Sequence, residues 1–171
     1  MKKSVQTRIH ISVTKQRLSL KRGRTTECSY PISTSKFGLG SEEGSMKTPT
    51  GRFRIAEMIG GDVPLGTVFK SRVPVRVSAK SFKADDLVMS RILWLDGRQA
   101  RNANTYDRFI YIHGTNHEDQ IGIPASHGCI RMKNADLGEL FARVQVDTPV
   151  AIAAPRKRRR SGRKKSVARK G

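Results

Sequence analysis

Ile9, Ile11 and Val13 alternate with polar residues, and Leu18 and Leu20 resume the alternation after Thr14 to Arg17. A period of two turns one strand face inward, so this opening stretch reads as a hairpin. Thr25 to Ile32 reads as another short strand, and Gly38 to Thr50, rich in Gly, Ser and Thr, as a loop. Pro49 and Gly51 set a sharp turn before a strand over Arg52 to Met58. Gly60 to Gly66 reads as a second loop. Val68 to Val77 contains Pro74, which cannot donate to a ladder and suits an edge or a break.

Phe82 to Asp86 is a polar connection. Leu87 to Leu95 is apolar enough for a buried strand, and Asp96-Gly97 marks the turn after it. Trp94, the only tryptophan, fits either a groove lining or core packing, the commoner use of a large aromatic. Asn102 to Asp107 is polar again. Phe109-Ile110-Tyr111-Ile112-His113 alternates, and it reads as a strand carrying His113 to a sheet rim. Beyond residue 131, Asn134 suits a helix cap. Ala135, Leu137, Leu140, Phe141 and Val144 follow at near-helical spacing, and Pro149 to Ala153 closes with a strand. No internal repeat interrupts the series. Many short strands and one good helix make the class mainly β.

At 171 residues the chain is the size of one domain. Hydrophobic content is 36%, with no transmembrane run. Two cysteines, far apart, make no disulfide framework, and Cys28 reads as structural. Charge changes the picture more. The net charge is +20, and residues 155–171 hold ten Lys/Arg and no acid. That divides the chain into a folded domain over 1–154 and a disordered basic tail over 155–171. Such a tail attracts anionic polymers: wall polymer, lipid headgroups or nucleic acid. No aromatic interleaves with its charges, so base stacking adds nothing. Solubilisation alone is the plainer use of the same composition.

The chemistry concentrates between Tyr111 and Met132, which contains three of the four histidines and one of the two cysteines. Within it stand His113-Gly114-Thr115 and Ser126-His127-Gly128-Cys129-Ile130-Arg131. A cysteine attacks as thiolate, and a histidine beside it can take the proton. His113 and His127 are both candidates. His127 lies two residues before Cys129, so the two point the same way if the segment is extended. Gly114 and Gly128 allow tight turns or close approach. Backbone N–H groups near Cys129 suit an oxyanion, and Arg131 suits a carboxylate. The same residues admit plainer readings: Cys129 as a small buried hydrophobe, Arg131 as a surface charge, or His113, His117, His127 and Cys129 as zinc ligands, although their spacing fits no standard finger.

The segment resembles the signature of the L,D-transpeptidase catalytic domain, the YkuD-type family: His-Gly-Thr, about a dozen residues, then Ser-His-Gly-Cys, a hydrophobic residue, and Arg or Asn. Upstream, Gln16 to Leu20, Tyr30 to Gly40 and Thr48 to Phe53 are similar to further motifs in the family's order, so the resemblance covers roughly residues 8 to 153. It implies a β-sandwich-like domain, with Cys129 on a loop at one end and one helix packed after it. It also implies a cysteine acyltransferase acting on peptidoglycan stem tetrapeptides and forming 3→3 cross-links with release of D-alanine. Under it Cys129 is the nucleophile and His113 the base. His127, Gly128, Ser126, Arg131 and Gly114 bind the oxyanion or substrate, or hold the loop. No metal or organic cofactor is needed.

Hydrolysis by an L,D-carboxypeptidase of the same fold, and a noncatalytic polyanion binder using the basic tail, stay open beside it. The resemblance implies work in the cell envelope or periplasm. Met1-Lys2-Lys3 starts like a signal peptide, but Ser4 to Thr14 supplies no apolar h-region.

Overall fold

The computed structural model describes residues 6–155. Its strands are β1 (Thr7–Ser12), β2 (Arg17–Arg22), β3 (Thr25–Ser33), β4 (Gly51–Ile59), β5 (Val68–Lys70) and β6 (Val73–Val75), followed by helix α1 (Ala79–Ala84). Then come β7 (Val88–Gly97), β8 (Tyr111–Gly114), β9 (Ile130–Met132), helix α2 (Asn134–Phe141) and β10 (Pro149–Ala153). The class is mainly β, as the alternation predicts. The expected basic tail lies outside the described residues.

The strands run β4-β10-β1-β2-β3-β9-β8-β7-β5-β6, and β4 also pairs with β7. Eight strands therefore close on themselves, which removes their free edges, and the β5–β6 hairpin hangs from β7. The two faces of the implied sandwich are thus parts of one closed sheet. Two neighbouring pairs, β1–β10 and β8–β9, are parallel.

The alternation works as read. Ile9, Ile11, Leu18, Leu20, Phe53, Ile55, Val150 and Ile152 fill a common core, into which α2 lays Leu137 and Leu140. β7 is buried on both faces: Leu93 and Leu95 join that core, while Ile92 and Trp94 pack outward with Phe69 and Tyr111. This double burial is why its sequence reads as a continuous apolar run. Trp94 stacks on Tyr106 at 4.0 Å, and its indole N–H donates to the Tyr106 carbonyl (3.0 Å), a packing role.

Three local expectations need correction, and a fourth, the edge or break at Pro74, is met. The polar stretch before β7 contains the short helix α1, begun by the Ser78 hydroxyl accepting the Ser81 N–H (3.1 Å). Residues 68–77 break into β5 and β6 because Ser71 and Arg72 take left-handed conformations (φ 49° and 68°) that form a tight hairpin turn; Pro74 then sits in the terminal strand of the sheet. Phe109 is also left-handed (φ 55°), so the strand to His113 starts at Tyr111. Finally, Asn134 does not cap α2 but is its first residue. The cap comes from Glu118, whose carboxylate accepts the Asn134 N–H at 2.7 Å.

Candidate active site

The parallel pairing of β8 with β9 sets Ile112 beside Ile130 and His113 beside Arg131. Ile112 and Ile130 both point into the core. Alternation then turns Tyr111, His113 and Arg131 outward, with Cys129 next to Tyr111. Cys129 so sits in the bend immediately before β9, against the Tyr111 N–H, two residues before His113 on β8. Cys129 and His113 line one small cavity of about 120 Å³ together with Asp86, Val88, Ser126, His127 and Arg131.

His113 is buried, 4% exposed. Its Nδ1 lies 2.6 Å from the Gly114 carbonyl. A carbonyl only accepts, so Nδ1 carries the proton and Nε2 keeps its lone pair. Burial holds the imidazole below its ordinary pKa, against the opposing hydrogen bond to the Gly114 carbonyl and the charge of Asp86; the ring is neutral at pH 7. Gly114 itself has no room for a side chain: a Cβ there would come within 2.2 Å of Asn134 Oδ1 and 2.7 Å of the Met89 carbonyl.

Cys129 packs beside Trp94 and Tyr111 at the edge of the outer apolar cluster. Its sulfur accepts the Tyr111 N–H (3.3 Å) and donates to the Phe109 carbonyl (3.4 Å). Burial pushes the thiol up to about 11; the Tyr111 N–H, Arg131 and Arg108 pull it down, and the Asp86 charge adds to the rise. The resting pair is a thiol and a neutral imidazole, not an ion pair.

The loop carrying Cys129 is not extended. Residues 127–129 bend, and Gly128 takes φ 127°, a conformation that favours glycine. His127 therefore does not share a face with Cys129. It turns outward, its Nδ1 3.0 Å from Asp86 Oδ2 and its ring 5.8 Å from that of Phe37. Ser126 holds the bend: its hydroxyl donates to the Cys129 carbonyl (2.6 Å) and accepts the Gly128 N–H (3.3 Å). Thr48 ties the bend to the Gly38–Thr50 loop, donating to the Gly128 carbonyl (2.9 Å) and accepting the Ser35 N–H (2.9 Å).

Arg131 is 2% exposed, which excludes the surface reading. It pairs with Asp86 and donates to Gln120 Oε1 (3.2 Å). Asp86 is the residue that sequence reasoning missed. It ends a polar connection with no motif around it, yet it joins His127 to Arg131 across the cavity. Burial opposes its charge, but the His127 hydrogen bond and the Arg131 charge keep its carboxyl below the usual range. His117 is not part of this group; its Nε2 faces the Asp85 carbonyl (3.1 Å). Among the described residues no three or more His, Cys, Asp and Glu gather as a metal-binding group. On the far side of His127, Glu43, Met46, Arg108 and Phe109 help to line an open hollow of about 640 Å³. Phe37, Met46 and Phe109, all about half exposed, give this end of the molecule an apolar rim.

The model of the YkuD L,D-transpeptidase catalytic domain matches residues 6–152. A probable L,D-transpeptidase of Escherichia coli K12, YcfS, is 25% identical over 139 residues, covering 77% of this chain and 41% of its own. The putative L,D-transpeptidase YqjB of Bacillus subtilis is 46% identical over 48 residues, 28% of this chain and 27% of its own. The chain thus spans less than half the length of either relative. Among solved structures, an L,D-transpeptidase of Xylanimonas cellulosilytica has a TM-score of 0.58 at 19% identity, covering 90% of this chain and 63% of that one. L,D-transpeptidase 3 of Mycobacterium tuberculosis, in complex with a faropenem-derived adduct, has a TM-score of 0.57 at 14% identity, covering 86% and 60%. No helix among the described residues is long and apolar enough to cross a membrane. A family match that reaches from β1 into β10, on a fold shared with solved enzymes of the same name, makes this chain a member of the L,D-transpeptidase catalytic domain family.

Proposed function

We propose that the chain is a peptidoglycan L,D-transpeptidase working through an acyl-enzyme on Cys129. The observation that carries this reading is the shared cavity: Cys129 and His113 both line it, with His113 Nδ1 tied to the Gly114 carbonyl. That tie leaves Nε2 as the base. It takes the thiol proton as sulfur attacks the carbonyl of the third residue, a diamino acid, in a tetrapeptide stem. The carbonyl π bond opens to an oxyanion held by the backbone N–H groups of Cys129 and Gly128. Collapse breaks the peptide bond to D-alanine, whose nitrogen takes the proton back from His113, leaving a thioester. The side-chain amine of a second stem then attacks, His113 again accepts a proton, and the thiol is restored as the 3→3 link forms.

A thiol this high in pKa gains from a base that acts during attack rather than before it. Arg131, already engaged by Asp86, holds the loop in this scheme, and His127 positions substrate. The open hollow beyond His127 is the place for the stem.

The test is to incubate the purified chain with tetrapeptide muropeptides, alongside Cys129→Ala, and read the products by mass spectrometry. Loss of D-alanine with dimers appearing, both absent in the variant, is the expected result. Tripeptide without dimers would replace the transpeptidase by an L,D-carboxypeptidase. Turnover retained by Cys129→Ala would refute the assignment.

A further inference from the structure

The strands β4, β10, β1 and β2 turn an outer face away from the core, and their register fixes what that face carries. Arg54 lies beside Pro149, Arg52 beside Ala151, and Ala151 beside His10. Across the next pairing Arg8 stands opposite Lys21, His10 opposite Ser19, and Ser12 opposite Arg17. β10 thus presents only the small Pro149 and Ala151 between two basic banks. The result is a groove of about 580 Å³ whose lining includes Arg8, Arg52, Arg54 and Arg98, with Asp147 as its one acid.

Asp147 is engaged by Arg54 (2.7 Å), which also holds Asp96 (2.9 Å). Arg8 and Arg52 have no ion-pair partner among the described residues. Like charges set directly opposite, as in Arg8 and Lys21, destabilise a sheet. His10 registers the same field: burial lowers its pKa, and Lys21 and Arg8 lower it further. A fold that sets like charges opposite each other on β1 and β2, with more basic residues across β10 on β4, has a use for them that neutral residues would not serve. The groove shares no residue with the Cys129 cavity, so an occupant leaves that cavity free.

We propose that this groove binds a linear phosphodiester polyanion along β10, gripped through its phosphates alone. The charges point to the class. Arginine forks onto phosphate oxygens, and the banks on β4 and β1 lie about 10 Å apart, two strand spacings. A single extended chain fits that width with basic groups on both sides. The outer positions of these strands offer Arg, Lys, His, Ser, Pro and Ala, with His10 as the one ring and no Phe, Tyr or Trp. A run of large rings, the usual grip on single-stranded nucleic acid, is therefore missing, and the backbone is what is read.

The test measures binding of the full chain to a labelled abasic phosphodiester oligomer and to an oligo(dT) of equal length, across a salt series. Wild type is compared with Arg8→Ala/Arg52→Ala, with Arg8→Lys/Arg52→Lys, and with Lys70→Ala/Lys80→Ala, which removes equal charge elsewhere. Each phosphate contact contributes about 0.7 to the slope of log affinity against log salt for a single strand. The groove double alanine variant is expected to lose about 1.4 of slope on both oligomers, with the lysine variant and the Lys70/Lys80 variant unchanged. Equal losses in the groove and Lys70/Lys80 alanine variants would reduce the effect to bulk charge and overturn the site, as would no loss in either. Binding to oligo(dT) without binding to the abasic oligomer would overturn the phosphate-only reading in favour of a base reader. Unchanged far-UV circular dichroism of the variants separates loss of contact from loss of fold.

Discussion

Cys129 and Asp86 set the reactivity of this site in opposite senses to what a ready thiolate would require. Burial leaves the thiol near 11, and the Asp86 charge helps keep it there, while Arg131 counters. Alkylation by iodoacetamide should therefore rise steadily between pH 7 and 10 without a plateau, since only thiolate reacts. Asp86→Asn removes the opposing charge and should react faster at any given pH. Arg131→Met removes the helpful one and should react slower. The same Arg131→Met variant leaves Asp86 partly buried without its main partner, and it should cost roughly 3 kcal/mol in urea unfolding, the low end for a broken buried pair. If Asp86→Asn slows alkylation instead, the carboxylate is not part of the thiol's electrostatics. The pair also has a stability consequence whose sign is fixed. The folded thiol has a pKa above its ordinary value of 9.0, so the folded state holds its proton longer than the unfolded chain. That contribution is complete below about pH 9 and is lost as pH rises toward about 11.

Elements show what a sequence carries and what it leaves out. Period-two alternation marked β1, β2 and the strand to His113, and the apolar run marked the doubly buried β7, but the three-residue β9, buried throughout, was not read as a strand. Helix α2 was legible from Leu137 and Leu140 at helical spacing, but its cap was not. The capping carboxylate belongs to Glu118, in the short 3₁₀ turn Glu118–Gln120, sixteen residues upstream, and no local pattern reports a partner brought in by β8 and β9. Asp86 escaped for the same reason: its links to His127 and Arg131 span 41 and 45 residues. The motif residues were visible because they crowd into one segment; the residues that hold them came from elsewhere in the chain. The Glu118 bond has a measurable share. Glu118→Ala should lower the unfolding free energy by about 1 kcal/mol, the usual cost of a lost helix cap, read as a lower denaturant midpoint with the m-value unchanged. A change under a few tenths would mean that water replaces the carboxylate without loss.

For the whole molecule, charge is the feature that the fold does not need. The chain carries +20, and +10 remains without residues 155–171, so the rest of the chain is itself strongly basic. One like-charged pair stands directly opposed where Arg8 faces Lys21, next to His10. Replacing Lys21 by Thr keeps a strand-forming residue in the row and removes one member of a like-charged pair. The folded state should then gain between a few tenths and about 1 kcal/mol, read as a higher urea midpoint at low ionic strength. At about 1 M salt the screening length falls to roughly 3 Å, and the gain should shrink toward zero. Alkylation of Cys129 should not change, because Lys21 is not among the charges acting on that thiol. A gain that persisted undiminished at high salt would trace the effect to strand propensity rather than charge. A loss of stability would mean that the aliphatic stem of Lys21 covers apolar surface whose burial outweighs the repulsion of its ammonium group.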